Sequence, residues 1–178
     1  MRELTAFVGS VRGETGEERV PHFDPLDGGV EAECLFLLEA PGPQAVYSGF
    51  VSRNNPDETA RNWFELNADA MIDRRRTITW NIVPWYIGKD ERIRPATAAD
   101  IQRGLPYLRR LLTMLKSLRV VVLVGEKART ARPSIQAWAN NIEICDLKHP
   151  SPMFVNRRPG NRNLILQGLH EVRRKLDA

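Results

Sequence analysis

Three polar residues with different hydrogen-bonding chemistry stand at or near the ends of short apolar runs. Glu39 follows the first run, Asn81 interrupts the second, and His149 follows the last one and precedes Pro150. An amide such as Asn81 offers one acceptor and two donors, so it can pair with two neighbouring groups of a ligand. An imidazole donor such as His149 can stabilise negative charge that develops in a transition state. Glu39 adds a carboxylate to these candidate catalytic and ligand-reading groups.

The apolar runs that position these residues are predicted to be strands. Short continuous apolar runs are typical of strands that are covered on both faces. The predicted strands are Cys34–Leu38, Thr77–Val83, Val120–Val124 and Ile142–Cys145. Helices are predicted over residues 57–73, 98–118, 126–139 and 162–176, with Asp57 as an N-cap of the first and the second starting near Thr97. For residues 1–30 we predict a helical turn followed by a loop. We expect this N-terminal extension to pack on the remainder of the domain.

The alternation of strands and helices predicts an α/β fold. We expect one domain over residues 1–178, with three α/β/α layers around a central four-stranded, mainly parallel sheet. Ligands of such sheets bind outside the carboxyl ends of the strands. This rule brings the loop 39–50, Asn81 and the loop 149–158 to one site.

Composition and charge restrict the class of protein. The chain has 178 residues, 42% of them hydrophobic and 27% charged, which is typical of a globular domain. No apolar run approaches the roughly 20 residues that a membrane span needs, and the N-terminus lacks the apolar core of a signal peptide. We therefore expect a cytoplasmic protein without a membrane partner, and a monomer. The net charge of +4 suits an acidic partner such as nucleic acid.

The cysteines and histidines give no sign of a metal site. The chain has two cysteines, Cys34 and Cys145, each inside an apolar run, and three histidines. Two distant cysteines cannot supply the four thiolates of an iron–sulfur cluster or a structural zinc site. Both are predicted to be buried apolar residues, and we expect no metal and no cofactor.

Four motifs resemble those of the uracil-DNA glycosylase superfamily. Leu38–Gly42 is similar to the first motif, in the Glu-Ala-Pro-Gly form of the iron–sulfur-containing class. Ser48–Val51 resembles the Pro-Phe-Val-Gly element of that class. Asn81 stands where the superfamily has its base-reading Asn, and His149–Pro152 resembles the second signature motif. Each motif alone is weak, but all four occur in order and the resemblance covers residues 33–175.

The resemblance implies an enzyme that extrudes a deaminated base from DNA and hydrolyses its N-glycosidic bond. The implied catalytic residues are His149, which would donate to uracil O2, and Glu39. The implied base-binding residues are Phe50, Asn81, Ala40, Pro41 and Gly42. Phe50 would stack on the base, and Asn81 would pair with N3 and O4.

The resemblance also implies DNA as the partner, bound by the loop 149–158. The implied DNA-binding residues are Ser151, Met153, Phe154, Arg157 and Arg158. Met153 or Phe154 would fill the gap left by the extruded base, and the two arginines, with Arg162, would hold phosphates.

The sequence departs from the superfamily at three points. Ala40 stands where the best-known members have an Asp that orients water, and Gly42 stands where they exclude thymine with a Tyr. The chain also has two cysteines where the iron–sulfur class uses four. Excision of hypoxanthine, xanthine or mismatched thymine therefore stays open.

Two further classes of function stay open. One is a protein of the same fold that binds damaged or single-stranded DNA with little catalysis, which Ala40 favours. The other is an unrelated nucleotide-binding enzyme, which the lack of the glycine-rich phosphate-binding patterns disfavours.

Overall fold

Short strands and helices alternate along the computed structural model, which describes residues 1–178. The helices are α1 (Arg2–Thr15), α2 (Pro43–Ser48), α3 (Glu58–Asp69), α4 (Ala98–Met114), α5 (Glu126–Arg129), α6 (Arg132–Trp138), α7 (Pro152–Val155) and α8 (Asn161–Asp177). The strands are β1 (His22–Phe23), β2 (Cys34–Leu38), β3 (Phe50–Val51), β4 (Thr77–Asn81), β5 (Gly88–Lys89), β6 (Arg92–Ile93), β7 (Val120–Val124) and β8 (Glu143–Leu147).

The central sheet has four parallel strands in the order β4-β2-β7-β8. Leu38, the last residue of β2, pairs with Asn81, the last residue of β4. Two further sheets of two strands each are separate from the central sheet. One is a parallel pair of β1 with β3, and the other is an antiparallel hairpin of β5 with β6. The predicted four-stranded sheet is therefore confirmed.

Two apolar layers cover the two faces of the sheet, because successive side chains of a strand point to opposite faces. Leu35, Leu37, Ile78 and Trp80 belong to one layer, together with residues of α1 and α4. Cys34 and Phe36 belong to the other layer, with residues of α3 and α8. The predicted three-layer α/β/α architecture is confirmed.

The N-terminus differs from its prediction as a single helical turn. It forms the 14-residue helix α1, whose buried residues are Leu4, Phe7, Val8 and Val11. This is the i, i+3, i+4, i+7 spacing of an amphipathic helix. The prediction was wrong because Gly9 and Gly13, which are poor helix formers, interrupt the segment that carries this periodicity.

Several element boundaries also differ. Residues 126–139 form α5 and α6 instead of one helix, and Pro133 lies in the first turn of α6, where its missing N–H costs nothing. Helices α3 and α4 end earlier than predicted, at Asp69 and Met114. The predicted N-cap is confirmed, since the Asp57 side chain accepts from Ala60 N at 2.9 Å.

Both cysteines are free thiols. Cys34 is fully buried, as predicted, whereas Cys145 is only partly buried. Every helix is too short or too polar to cross a lipid bilayer. The structure contains no group of three or more His, Cys, Asp or Glu residues placed to share a metal ion.

Candidate active site

A cavity of about 590 Å³ opens at the carboxyl ends of β2 and β4. Its walls come from the loop after β2, the segment after β3, one face of β4, helix α3, the β5–β6 hairpin and the loop after β8. The residues that line it include Glu39, Ala40, Pro41, Gly42, Val51, Ser52, Arg53, Trp63, Thr79, Asn81, Glu91, Ile93, Arg94 and His149. The cavity lies at the end of the sheet where the strand-end rule predicts a ligand site.

Six of the sequence-predicted site residues line this cavity: Glu39, Ala40, Pro41, Gly42, Asn81 and His149. The other six lie outside its lining: Phe50, Ser151, Met153, Phe154, Arg157 and Arg158. The structure thus brings together the three chemical groups that stand at strand ends in the sequence.

Asn81 presents a buried amide without a protein partner. The side chain is 2% exposed, and no hydrogen-bond acceptor faces its Nδ2 atom. It lies on the same face of β4 as Thr79, while Trp80 points to the opposite face and stacks on Phe23 at a centroid distance of 3.9 Å. A buried donor without an acceptor costs free energy, and a ligand acceptor in the cavity would remove that cost.

His149 is held in the cavity wall by its neighbours. Asn62 Nδ2 of α3 donates to the carbonyl oxygen of Pro150 at 3.0 Å, which ties the loop to the helix. Gly125, which follows β7, packs against the His149 side chain. Burial alone lowers the pKa of His149, so the imidazole is neutral near pH 7 and keeps one N–H donor.

Glu39 is anchored through one of its carboxylate oxygens. Oε1 accepts from the backbone N–H of Ala96 at 2.6 Å, and the Glu39 carbonyl oxygen accepts from Val83 N at 2.9 Å. The segment that follows the hairpin therefore fixes the side chain. Glu39 is one of the residues that line the cavity.

Phe50 does not line the cavity, contrary to its predicted role as the stacking ring. It is 38% exposed and its ring lies 6.2 Å from that of His22. The next residue, Val51, is buried and lines the cavity instead. Neighbouring residues of a strand point to opposite sides, so β3 turns Val51 inward and Phe50 outward.

The loop after β8 divides the predicted DNA-binding residues into exposed and packed ones. Met153 is 85% exposed, whereas Phe154 is partly buried against the apolar layer of α3 and α8. Ser151 is the N-cap residue of α7, and its carbonyl oxygen accepts from Phe154 N at 2.9 Å. Arg157 and Arg158 are exposed.

Arg162, which was predicted to hold phosphates with Arg157 and Arg158, is paired with a carboxylate in the structure. Its Nη2 atom donates to Asp69 Oδ2 of α3 at 2.6 Å, and so joins α8 to α3. The partner lies 93 residues away in the sequence, so no local pattern could indicate it.

Three cavity features could not be seen in the sequence. Trp63 of α3 lines the cavity and has an Nε1–H group without an acceptor. The β5–β6 hairpin adds a rim with Glu91, Ile93 and Arg94. Arg53 is buried and lines the cavity as well.

Comparison with known proteins identifies the class to which this fold and cavity belong. A family model described as the uracil DNA glycosylase superfamily matches residues 26–172. The chain belongs to the uracil DNA glycosylase superfamily. No curated protein matches the sequence significantly.

Two solved structures are similar in fold. The crystal structure of wild-type SMUG2 from Pedobacter heparinus has a TM-score of 0.63 and 12% identity, and the match covers 100% of this chain and 86% of that one. A solution NMR structure from Methanosarcina acetivorans, of a protein with a provisional uracil DNA glycosylase assignment, has a TM-score of 0.53 and 14% identity. That match covers 85% of this chain and 97% of the other.

Proposed function

We propose that this protein is a monofunctional DNA glycosylase that hydrolyses the N-glycosidic bond of uracil or another deaminated base. One observation carries the proposal. Glu39, Asn81 and His149 converge on one cavity, in which the Asn81 amide nitrogen is buried without a partner. The cavity is large enough to admit a base that has left the DNA stack.

Asn81 is the proposed base-reading residue. Its Nδ2 donor would bond to uracil O4, and its Oδ1 acceptor would receive the N3–H group. Cytosine presents a donor and an acceptor in the reverse arrangement, so an amide held in one orientation rejects it. Ala40 and Pro41 line the same cavity, and Val51 and Trp63 supply apolar wall.

His149 is the proposed electrostatic catalyst. When the C1′–N bond breaks, its electron pair goes to the base, and the sugar becomes positively charged. A neutral imidazole whose N–H group points at O2 would stabilise the departing anion more strongly than the bound base. The lowered pKa of His149 favours this donor role.

Glu39 is the proposed partner of the attacking water. Water oxygen forms the new bond to C1′ and loses one proton, and the departing base anion gains one. A carboxylate beside the sugar would orient that water and stabilise the positive charge. Glu39 would thus take the role of the Asp that is missing at Ala40, and the Ala96 N–H bond that fixes Glu39 supports this.

The lack of a side chain at Gly42 supports a substrate range that includes bases other than uracil. A Cβ atom at Gly42 would meet no atom within 4 Å, so this side of the cavity is open. Its φ of −77° is accessible to any residue, which means that backbone conformation does not require glycine here. Space is therefore left where a Tyr would exclude a 5-methyl group.

The proposed DNA-binding residues lie on the loop after β8. Met153 is the exposed apolar side chain that would fill the gap left by the extruded base. Arg157 and Arg158 would bind flanking phosphates, which carry no sequence information. The net charge of +4 suits this partner.

Oligonucleotides that contain uracil, hypoxanthine or xanthine test the proposal. Single- and double-stranded forms are incubated with the protein and treated with alkali, which cleaves at abasic sites. We expect cleavage with at least one base and much less with the His149→Ala variant. The second candidate, a DNA-binding protein with little catalysis, is favoured by Ala40. Tight binding of uracil-containing DNA without release of any base would replace the enzyme by that candidate.

A further inference from the structure

Three consecutive residues of the cavity wall are held by the N-terminal segment, which we define as residues 1–27. These wall residues are Val51, Ser52 and Arg53, and all three line the cavity. The family model begins at residue 26, so most of the segment lies before the matched region. Phe23, Asp24 and Asp27 of the segment interact with Val51, Ser52 and Arg53, respectively.

Val51 is fixed by backbone pairing and by aromatic packing. It pairs with Phe23 in the parallel β1–β3 register, and His22 N donates to Gly49 O at 2.7 Å. The Phe23 ring in turn stacks on Trp80 of β4 with an interplanar angle of 13°. The first wall residue is thus tied through Phe23 to the central sheet.

Ser52 is fixed by a buried carboxylate. Its hydroxyl donates to Asp24 Oδ2, which also accepts from Arg74 Nη2 at 2.7 Å. The other oxygen, Asp24 Oδ1, accepts from Leu26 N at 2.9 Å. Asp24 is almost fully buried and is not part of the cavity lining.

Arg53 is fixed from beneath the cavity. Its Nη2 atom donates to Thr77 Oγ1 at 2.9 Å and lies 3.9 Å from Asp27 Oδ1, which accepts from Arg74 Nε at 3.1 Å. Two carboxylates and two guanidinium groups therefore balance in charge. The buried Nε atom of Arg53 has no hydrogen-bond partner, so one donor of the network stays unsatisfied.

A network of this kind adds little net stability but fixes geometry. Burial of an ion pair costs desolvation free energy that roughly cancels its Coulomb attraction. The same pair opposes displacement strongly, because a shift leaves a buried charge without its partner. The network is therefore better suited to hold the wall in position than to stabilise the fold.

We propose that the N-terminal segment is a positioning element of the cavity, with Asp24 as its positioning residue acting through Ser52. Its contribution is to hold Val51–Arg53 where an extruded base must lie against them. The identity of that ligand rests on the proposed glycosylase function. Asp24 touches neither base nor sugar in this proposal, so it is not a catalytic residue.

Three variants and a matched control test the inference. Asp24→Asn removes the charge, Ser52→Ala removes the hydroxyl, and the double variant tests whether the two act together. The control is Glu14→Gln in α1, which breaks the ion pair with Arg110 of α4, at 2.7 Å, in the same segment but away from the cavity. Amide hydrogen exchange of residues 50–55, kcat and KM are measured well below the melting temperature.

We expect faster exchange of residues 50–55 in Asp24→Asn and Ser52→Ala, and a fall in kcat/KM of roughly tenfold, because small misplacements of a bound substrate reduce rates strongly. The double variant should lose little more than the more damaged single variant, as is typical of two residues that share one interaction. Glu14→Gln should change neither readout. Ser52→Ala alone carries the test if Asp24→Asn does not fold.

Two results would overturn the inference: unchanged exchange of residues 50–55, or faster exchange with unchanged kcat/KM. Additive losses in the double variant would also oppose it, because Ser52 would then act on the substrate without Asp24. A wild-type protein that excises no base overturns the proposed function separately. The positioning role is then judged by exchange and by the affinity for a uracil-containing strand, and it fails if either is unchanged in the variants.

Discussion

Gly125 lies directly against His149, in a backbone conformation that favours glycine. A Cβ atom at Gly125 would stand 3.5 Å from the Cβ atom of His149, and the φ and ψ angles of Gly125 are +88° and 172°. This conformation is essentially restricted to glycine, because other residues clash with their own backbone. The loop after β7 therefore leaves room beside the His149 side chain for no more than a close contact.

Gly125→Ala should disturb both stability and catalysis. Strain at such a position costs about 1–3 kcal/mol, and its relief would shift the backbone that His149 packs on. We expect a lower free energy of unfolding in urea and a clear fall in kcat. The control is Gly16→Ala, since Gly16 also has a positive φ, of 71°, with nothing within 4 Å of an added Cβ. An equal loss of kcat in both variants would show that packing against His149 is irrelevant.

Asn81→Asp should change which base is accepted. A carboxylate cannot donate to uracil O4, so uracil excision should fall, whereas the N4 amino group of cytosine could then meet an acceptor. The measurement compares kcat/KM for uracil and cytosine in otherwise identical oligonucleotides. Uracil activity equal to that of the wild type would remove Asn81 from the base-reading role.

Arg157 and Arg158 should contribute to DNA affinity without sequence preference. Their replacement by Ala should weaken binding to all sequences alike and reduce the slope of log K against log salt concentration, by about 0.9 for each phosphate that is no longer neutralised. Fluorescence anisotropy over a range of salt concentrations measures both effects. Arg162→Ala is the matched control, because that guanidinium already pairs with Asp69. A wild-type slope in the double variant would contradict a phosphate role.

Asp27 should make the stability depend on pH in a defined direction. Burial raises the pKa of Asp27 to about 6, although Arg53 and Arg74 oppose the shift. The folded state thus binds this proton more tightly than the unfolded chain, so the stability gained at low pH is lost as the pH rises from about 4 to about 6. For a shift of about 2 units the upper limit is roughly 3 kcal/mol.

The Asp27→Asn variant checks this direction. It lacks the titrating group, so its free energy of unfolding should fall less between pH 4 and pH 7 than that of the wild type. Urea unfolding at a series of pH values gives the comparison. Parallel curves for the two proteins would show that Asp27 titrates normally in the folded state.

The sheet, and the meeting of Glu39, Asn81 and His149 at one cavity, could be predicted from the sequence because both follow from local patterns. Cys34–Leu38 and Val120–Val124 are continuous apolar runs, and such runs indicate covered parallel strands. Once the strands were placed, the position of strand ends implied that Glu39, Asn81 and His149 meet. The meeting of these residues follows from the strand ends alone, without any interatomic distance.

What could not be predicted depends on interactions between distant segments. Whether Phe50 or Val51 faces the cavity is decided by the pairing of β3 with β1, and a change of one residue reverses the outcome. The burial of Arg53 depends on Asp27 and Thr77, which come from two other segments. Arg162 likewise cannot be told from Arg157 without the position of Asp69.

His149 is expected to stabilise the departing base and to contribute little to the binding of DNA. In the His149→Ala variant, kcat should fall by about 10²–10³-fold, as is typical when one such donor is removed. Affinity for uracil-containing DNA should change far less, because phosphate binding and stacking dominate it. Thermal melting of the variant, measured beside the kinetics, shows that it is folded. Slow excision with near-normal DNA binding is the predicted result. Full excision activity in a folded His149→Ala protein would show that His149 does not stabilise the departing base.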